Sequence, residues 1–144
     1  MPVTSYSSVS NVPPLVAVSC YPDAFTSRVI LRSRAFSLCF LDRNHIPAIE
    51  FLATHSGRMS TDKLSDAGLG HKEGKKLAVP VIDGSAAALE CTLRTKRKVG
   101  DHVLMVGKVE AAYASEDFKD YWRFRDYKPI MYTGWRGRLT TFDS

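Results

Sequence analysis

Two β-like segments joined by a short basic connection constrain this chain more than any other feature. The first covers residues 85–95 and mixes apolar with polar side chains, and the second covers residues 102–113. Three of the six connecting residues 96–101 are basic, and the connection contains Gly100, which suits a reversal of the chain. The pattern therefore predicts an antiparallel β-hairpin.

Shorter segments predict the rest of the fold. Residues 9–19 contain two prolines followed by a β-branched apolar run, and residues 35–41 are mostly apolar, so each is predicted to hold a buried strand. Thr26 is a suitable N-cap for a helix over residues 26–32, and a proline fits the first turn of a helix over residues 46–55. We expect mostly β structure with a few helices, arranged as a small antiparallel barrel with helices covering its ends.

Composition limits the class of protein. A chain of 144 residues with 44% apolar residues can bury one core, so we predict a single domain over residues 1–144 and not a disordered chain. Its 20 Lys and Arg residues against 15 Asp and Glu give a net charge of +5, which suits an anionic ligand as well as nucleic acid. No apolar run approaches the about 20 residues that span a bilayer, so no membrane partner is expected.

The cysteines and histidines argue against disulfides and metals. Three widely spaced cysteines favour a reducing, cytoplasmic compartment. Neither a CxxC pair nor an HExxH motif is present, so we predict no metal site.

Residues 19–30 form the first candidate site. A strand, a loop and a helix N-terminus follow one another here, and the free backbone N–H groups of a helix N-terminus suit a phosphate. The hydroxyls of Thr26 and Ser27 would add donors, and Arg28 would add charge. The alternative is that Thr26 only caps the helix.

Two further candidates carry polar side chains. A row of hydroxyls at residues 4–8 would suit a polyol if this segment is a strand, although a solvated terminus is the alternative. His102 follows the hairpin connection and can donate, accept or carry charge near neutral pH, although a histidine beside a turn is more often structural.

The C-terminal tail, residues 115–144, interleaves aromatic with basic side chains. Such a composition can bind single-stranded nucleic acid. No RRM or KH signature accompanies it, so nucleic acid is an unlikely partner. Packing on the barrel or on a second subunit explains the tail's aromatic residues, among them Tyr121, Trp122 and Trp135, at least as well.

The ordered set of motifs over residues 2–110 resembles the flavin reductase-like family, whose members are FMN-binding split barrels. The most specific pieces are Leu-Glu-Cys at residues 89–91, Gly-Asp-His at residues 100–102 and Gly-x-Val at residues 107–109. Matching pieces also occur at residues 8–19, at Thr26, and at residues 36–39, 61–64 and 79–86.

The resemblance implies a homodimer that holds FMN, or alternatively FAD, near its interface, with NAD(P)H as co-substrate. By residue-to-residue match, Thr4, Ser5, Ser7 and Ser8 would line the ribityl chain and ring edge, and the loop from Ser19 and Cys20 to Thr26, with Ser27 and Arg28 following, would surround the phosphate. His102 would lie beside the flavin and the nicotinamide, as the catalytic residue.

This chain departs from the family pattern in three places. Phe25 stands where a basic residue often precedes the threonine, so the charge would come from Arg28, Arg58 or Lys63. Cys39 replaces a common asparagine. Relatives have about one more strand before the segment that matches residues 2–4, so we expect this chain to lack the first strand seen in relatives. Either the chain starts late, or its barrel has an open edge that would promote association unless a dimer covers it.

The expected function is an FMN-binding oxidoreductase that transfers hydride from NAD(P)H to flavin and passes electrons to an unknown acceptor. The alternative is a non-catalytic barrel module that binds flavin or single-stranded nucleic acid.

Overall fold

The computed structural model of the chain describes residues 1–118, 127–134 and 137–141. The helices within these residues are α1 (Phe25–Ser33), α2 (Ile46–Thr54) and α3 (Lys63–Asp66), with a 3-10 turn at Arg43–His45. The strands are β1 (Tyr6–Ser10), β2 (Leu15–Cys20), β3 (Ala35–Phe40), β4 (His71–Glu73), β5 (Pro80–Ile82), β6 (Ala87–Val99), β7 (His102–Ala114), β8 (Met131–Tyr132) and β9 (Leu139–Thr140).

Five strands form one antiparallel sheet in the order β1-β2-β7-β6-β3. Its outer strands, β1 and β3, do not pair with each other in the described part of the chain, yet the ring centroids of Tyr6 on β1 and Phe40 on β3 lie 5.4 Å apart, edge to face. The sheet therefore curls until its edges meet through side chains. This is a barrel with a split, and the predicted fold class is confirmed.

The barrel interior is filled from alternate positions of the strands. Val16 and Val18 on β2 and Met105 on β7 are buried there, together with Phe36 on β3. A Cβ atom at Gly107 would lie 2.6 Å from Cζ of Phe36, so the ring reaches the backbone of β7 only because this residue is glycine. The Gly-x-Val motif therefore serves core packing.

The hairpin of β6 and β7 is longer than predicted. Val99 pairs with His102, so Gly100 and Asp101 alone form the turn, and the predicted connection over residues 96–101 is wrong. Gly100 has a φ of 57°, as the first position of a type II′ hairpin turn requires. From residue 94 to its end β6 is exposed, so this part of the hairpin extends beyond the core.

Helix α1 begins at Phe25 with Ala24 as its N-cap residue, so the prediction that Thr26 is the N-cap is wrong. Instead of a cap, a buried contact holds the start of the helix in place: the Ser27 hydroxyl donates to the backbone oxygen of Tyr21 at 2.7 Å. Helix α2 has its proline in the first turn, as predicted.

The Leu-Glu-Cys motif places a carboxyl group inside the protein. Glu90 on β6 is 0% exposed, and its oxygens accept hydrogen bonds from the backbone N–H groups of Lys75, Lys76 and Leu77 at 2.7, 2.9 and 2.6 Å. A Cβ atom at Gly74 would lie 2.6 Å from Cδ of Glu90, so glycine lets this loop approach so closely. Glu90 therefore fixes the segment between β4 and β5 on the barrel.

We expect Glu90→Gln to lower the free energy of unfolding by about 1–3 kcal/mol, because an amide NH₂ would face N–H donors inside the protein. Urea denaturation measures this change. Glu110→Gln is the matched control, since Glu110 is partly exposed and pairs with Lys108 on the same strand. Equal effects of the two substitutions would contradict this role of Glu90.

The described part of the tail lies against the segment that follows β3 and against α2. Asp42 and Pro129 form an isolated β-bridge, the N–H of Arg43 donates to the Lys128 oxygen at 3.0 Å, and Ile130 packs on a small apolar cluster beneath α2. Tyr121, Trp122 and Trp135 lie outside the described residues. Within the residues described, no helix has both the length and the apolar character to cross a membrane.

Candidate functional site

An open cavity of about 330 Å³ lies on the outer face of the sheet, where β2, β7 and β6 are neighbours. Ser19 pairs with Leu104 and Val99 pairs with His102, so these side chains share one face, while the intervening Val103 packs on the core. The cavity is lined by Ser5, Ser19, Val99, His102 and Leu104. It therefore contains three residues predicted for the site.

His102 is held at this cavity by two neighbours. Its ring lies 4.2 Å from the ring of Tyr21, centroid to centroid, at an interplanar angle of 37°. Its Nδ1 lies 2.7 Å from Oδ1 of Asp101, and this hydrogen bond lowers the pKa of the Asp101 carboxyl group. An ionised Asp101 accepts the proton of Nδ1–H, which leaves Nε2 of His102 for a ligand.

The hydroxyl-rich N-terminal segment runs beside the cavity. The backbone oxygen of Ser5 accepts from the N–H of Ser19 at 2.9 Å, and Ser7 and Ser8 follow on β1. Thr4, Ser5, Ser7 and Ser8 are all exposed. Apart from the bond from Ser7 to the Ser8 oxygen, their hydroxyls make no hydrogen bond within the described residues, so they are available to a polar ligand.

The N-terminus of α1 is open to an anion. No side chain caps it, and its first turn contains no acidic residue. Thr26 lies in that turn, and its hydroxyl has no hydrogen-bond partner among the residues described. The positive end of the helix and this hydroxyl together have the chemistry that suits a phosphate.

Two predicted arginines meet at the loop before α1. Arg28 pairs with the carboxylate of Asp23 at 3.0 Å, and Arg58 donates to the backbone oxygen of Asp23 at 3.1 Å. The structure thus brings both arginines to the start of α1, with part of the charge of Arg28 offset by Asp23.

Cys20 and Ser27 are buried beneath this loop. Burial raises the pKa of the Cys20 thiol, and a hydrogen bond with Ser27 partly opposes that rise. A thiol that stays protonated at neutral pH is a poor nucleophile. The positions of Cys20 and Ser27 favour a role in holding the loop.

Lys63 and Cys39 do not line the cavity. Both lie near the amino group of Met1. Lys63 donates to the Leu52 oxygen at 2.6 Å, and burial lowers the pKa of Lys63. Burial and the charge of Lys63 lower the pKa of the Met1 amino group, and the thiols of Cys20 and Cys39 partly oppose this shift. The ammonium group of Lys63 is therefore bound to a backbone oxygen, and it does not join Arg28 and Arg58 at the loop before α1.

Sequence reasoning missed Tyr21 and Asp23. Both stand in the loop of residues 20–25, but neither their hydrogen bonds nor the ring contact with His102 is encoded in local spacing. Tyr21 matters most, since its backbone oxygen accepts a hydrogen bond from the Ser27 hydroxyl and its ring contacts the ring of His102. It connects the open helix N-terminus to the cavity.

A split barrel with an uncapped helix N-terminus and an open cavity that holds a histidine defines the class of small β domain to which this chain belongs. The family model for the flavin reductase like domain matches residues 1–131. The chain belongs to this family.

Known proteins of similar sequence and structure support the assignment. The chain is 32% identical over 130 residues, 90% of its length, to an uncharacterized protein of Aeropyrum pernix, and 31% identical over 78% of its length to the NADH-dependent FAD reductase of Streptomyces globisporus. The FMN-binding protein from Thermus thermophilus, solved with bound 1-cyclohex-2-enone, superposes with a TM-score of 0.83 at 30% identity, covering 97% of this chain and 76% of that one. The alignments span 49% and 60% of the two curated relatives' own lengths.

Proposed function

We propose that this protein binds FMN and reduces it with a nicotinamide nucleotide. One observation carries the proposal: Tyr21 joins the open N-terminus of α1 to the cavity that holds His102. The open helix N-terminus, the nearby cavity and the exposed hydroxyls of residues 4–8 together suit a ligand that has a phosphate, a flat ring and a polyol. The names of the Thermus thermophilus and Streptomyces globisporus proteins, which bind FMN and use NADH with FAD, support the same choice.

The residues present fit FMN. Its phosphate would be bound by the first-turn N–H groups of α1 and the Thr26 hydroxyl, with charge from Arg28 and Arg58. Ser5, Ser7 and Ser8, together with Thr4, would hydrogen-bond the ribityl chain and ring edge, and Ser19 would line the cavity beneath them. Cys20 and Ser27 would fix the loop.

A bound flavin supplies the hydride acceptor at N5. The protein's own contribution is positional. His102, whose Nδ1–H donates to Asp101, would hold the nicotinamide against the ring by accepting a hydrogen bond at Nε2. The apolar side chains of Val99 and Leu104 would exclude water from one side. Electrons would then pass to a second acceptor, whose identity is open.

We further propose that the protein is a homodimer in the cytoplasm. Strand β1 pairs only with β2 in the described residues and is nearly all exposed. Val9 on β1 is 52% exposed, and Val12 in the turn that follows is 93% exposed. An exposed apolar edge strand is an association surface unless a partner covers it. All three cysteines are free thiols, in keeping with a reducing compartment.

Val12→Lys should shift the protein towards monomer, because it places a charge on the exposed apolar turn that follows this edge strand. Light scattering across a concentration series would detect the change. Met59→Lys, at a residue that is 89% exposed elsewhere, is the matched control and should leave the mass unchanged. A wild-type protein that is monomeric and fully occupied by flavin would contradict the dimer proposal.

The proposed function is tested by titrating the protein with FMN, FAD and riboflavin while flavin fluorescence is followed, and then by measuring NADH and NADPH oxidation. We expect FMN to bind more tightly than riboflavin and nicotinamide oxidation to require both protein and flavin. A protein that binds flavin but is reduced by neither nucleotide would be a flavin-binding module. Binding of single-stranded nucleic acid in place of flavin would favour the other alternative.

A further inference from the structure

The exposed end of the β6–β7 hairpin carries a run of positive charge. Lys96, Arg97 and Lys98 are exposed, and none of them makes an ion pair or a side-chain hydrogen bond within the described residues. The nearest acidic residue in sequence, Asp101, is bonded to His102. Three cations without counter-charges therefore stand directly beside the cavity-lining Val99.

The strand register separates these cations into two faces. Arg97 pairs with Leu104, and Val99 pairs with His102, so Arg97 stands on the face that holds the cavity. Lys96 pairs with Met105 and Lys98 pairs with Val103, and both partners belong to the core face. Of the three, only Arg97 shares a face with the cavity.

We propose that Arg97 binds a phosphate of the nicotinamide dinucleotide. This inference rests on the proposed function and adds a residue that recognises the co-substrate. The flavin phosphate would have its own site at α1, and the loop before α1 contacts His102 through the ring of Tyr21. A dinucleotide whose nicotinamide lies at His102 carries a diphosphate a few ångströms further along, and a planar guanidinium binds such oxygens in a bidentate manner.

The dinucleotide offers two groups that Arg97 can bind. One is the diphosphate, which NADH and NADPH share, and the other is the 2′-phosphate, which only NADPH has. In the holoprotein, Arg97→Gln should raise the dissociation constant of the dinucleotide about tenfold or more, as for the loss of a hydrogen bond to a charged group. The limiting rate of flavin reduction should stay unchanged. Equal effects on both nucleotides identify the diphosphate, and an effect on NADPH alone identifies the 2′-phosphate.

Two controls make the test specific. Reduction by 1-benzyl-1,4-dihydronicotinamide, which has no phosphate, should not respond to Arg97→Gln. Lys96→Gln removes the same charge from the opposite face and should weaken dinucleotide binding far less. An equal loss of dinucleotide affinity in Lys96→Gln would show that only the overall positive charge of the hairpin matters, and would overturn the proposal.

Different outcomes test the role of Arg97 and the proposed function. If wild-type flavin is reduced by the dinucleotides and Arg97→Gln binds them unchanged, the inference about Arg97 is wrong and the proposed function stands. If no nicotinamide donor reduces wild-type flavin, the proposed function itself is wrong.

Discussion

His102→Asn should slow flavin reduction by NAD(P)H by about 10²-fold while FMN binding stays nearly intact. Asparagine keeps a polar side chain of moderate size but cannot present a ring nitrogen to the nicotinamide while bonded to Asp101. The hydrogen bond to Asp101 and the contact with the Tyr21 ring place His102 at the cavity and not in the core. Stopped-flow bleaching of the bound flavin under anaerobic conditions measures the step directly.

His71→Asn is the matched control, because His71 is exposed on β4 and does not line the cavity. It should leave the rate unchanged. Asp101→Asn should slow reduction to a smaller extent, since the imidazole remains but the group that selects its tautomer is lost. A His102→Asn protein that is reduced at the wild-type rate would assign His102 a structural role.

Thr26→Val should weaken FMN binding by tenfold or more and change riboflavin binding little. Valine preserves the shape of threonine but removes the hydroxyl, and a hydrogen bond to a charged group contributes about 1.5–3 kcal/mol. The Thr26 hydroxyl has no protein partner in the described part of the chain, so its loss should not disturb the fold. Fluorescence titration with both flavins measures the difference.

Thr95→Val, at an exposed position of β6, is the control for the loss of a threonine hydroxyl. It should leave the affinities for both flavins as they are. If Thr26→Val reduces the affinities for FMN and riboflavin equally, then Thr26 acts through the structure of α1 and not through the phosphate.

Much of the barrel could be predicted because its strands carry local signals. The apolar runs of β2 and β3 and the proline at the start of α2 correspond to elements with closely similar bounds. Hydrophobic periodicity works there because those residues are buried by the barrel itself.

The end of the hairpin could not be predicted, because β6 from residue 94 onwards buries nothing. Its polar, charged residues resemble a loop, and only pairing with β7 makes them a strand. Backbone hydrogen bonds to an already ordered strand leave no pattern in the sequence.

The start of α1 illustrates a second limit. Thr26 has the side chain of a typical N-cap, but the buried bond from Ser27 to the Tyr21 oxygen sets where the helix begins. The same loop brings Tyr21 to His102, a residue far along the chain. Local capping rules contain no information on such a contact, which is why the sequence indicated the separate pieces of the candidate site but not what joins them.

The central claim, hydride transfer from nicotinamide to bound flavin, is tested most directly by a single turnover with NADH carrying deuterium at both C4 positions. The protein is loaded with FMN, oxygen is removed, and the loss of flavin absorbance is followed after mixing. The account predicts that the flavin bleaches and that the deuterated donor bleaches it more slowly, because the C4–H bond breaks in this step. Flavin that remains oxidised with NADH and with NADPH would contradict the account.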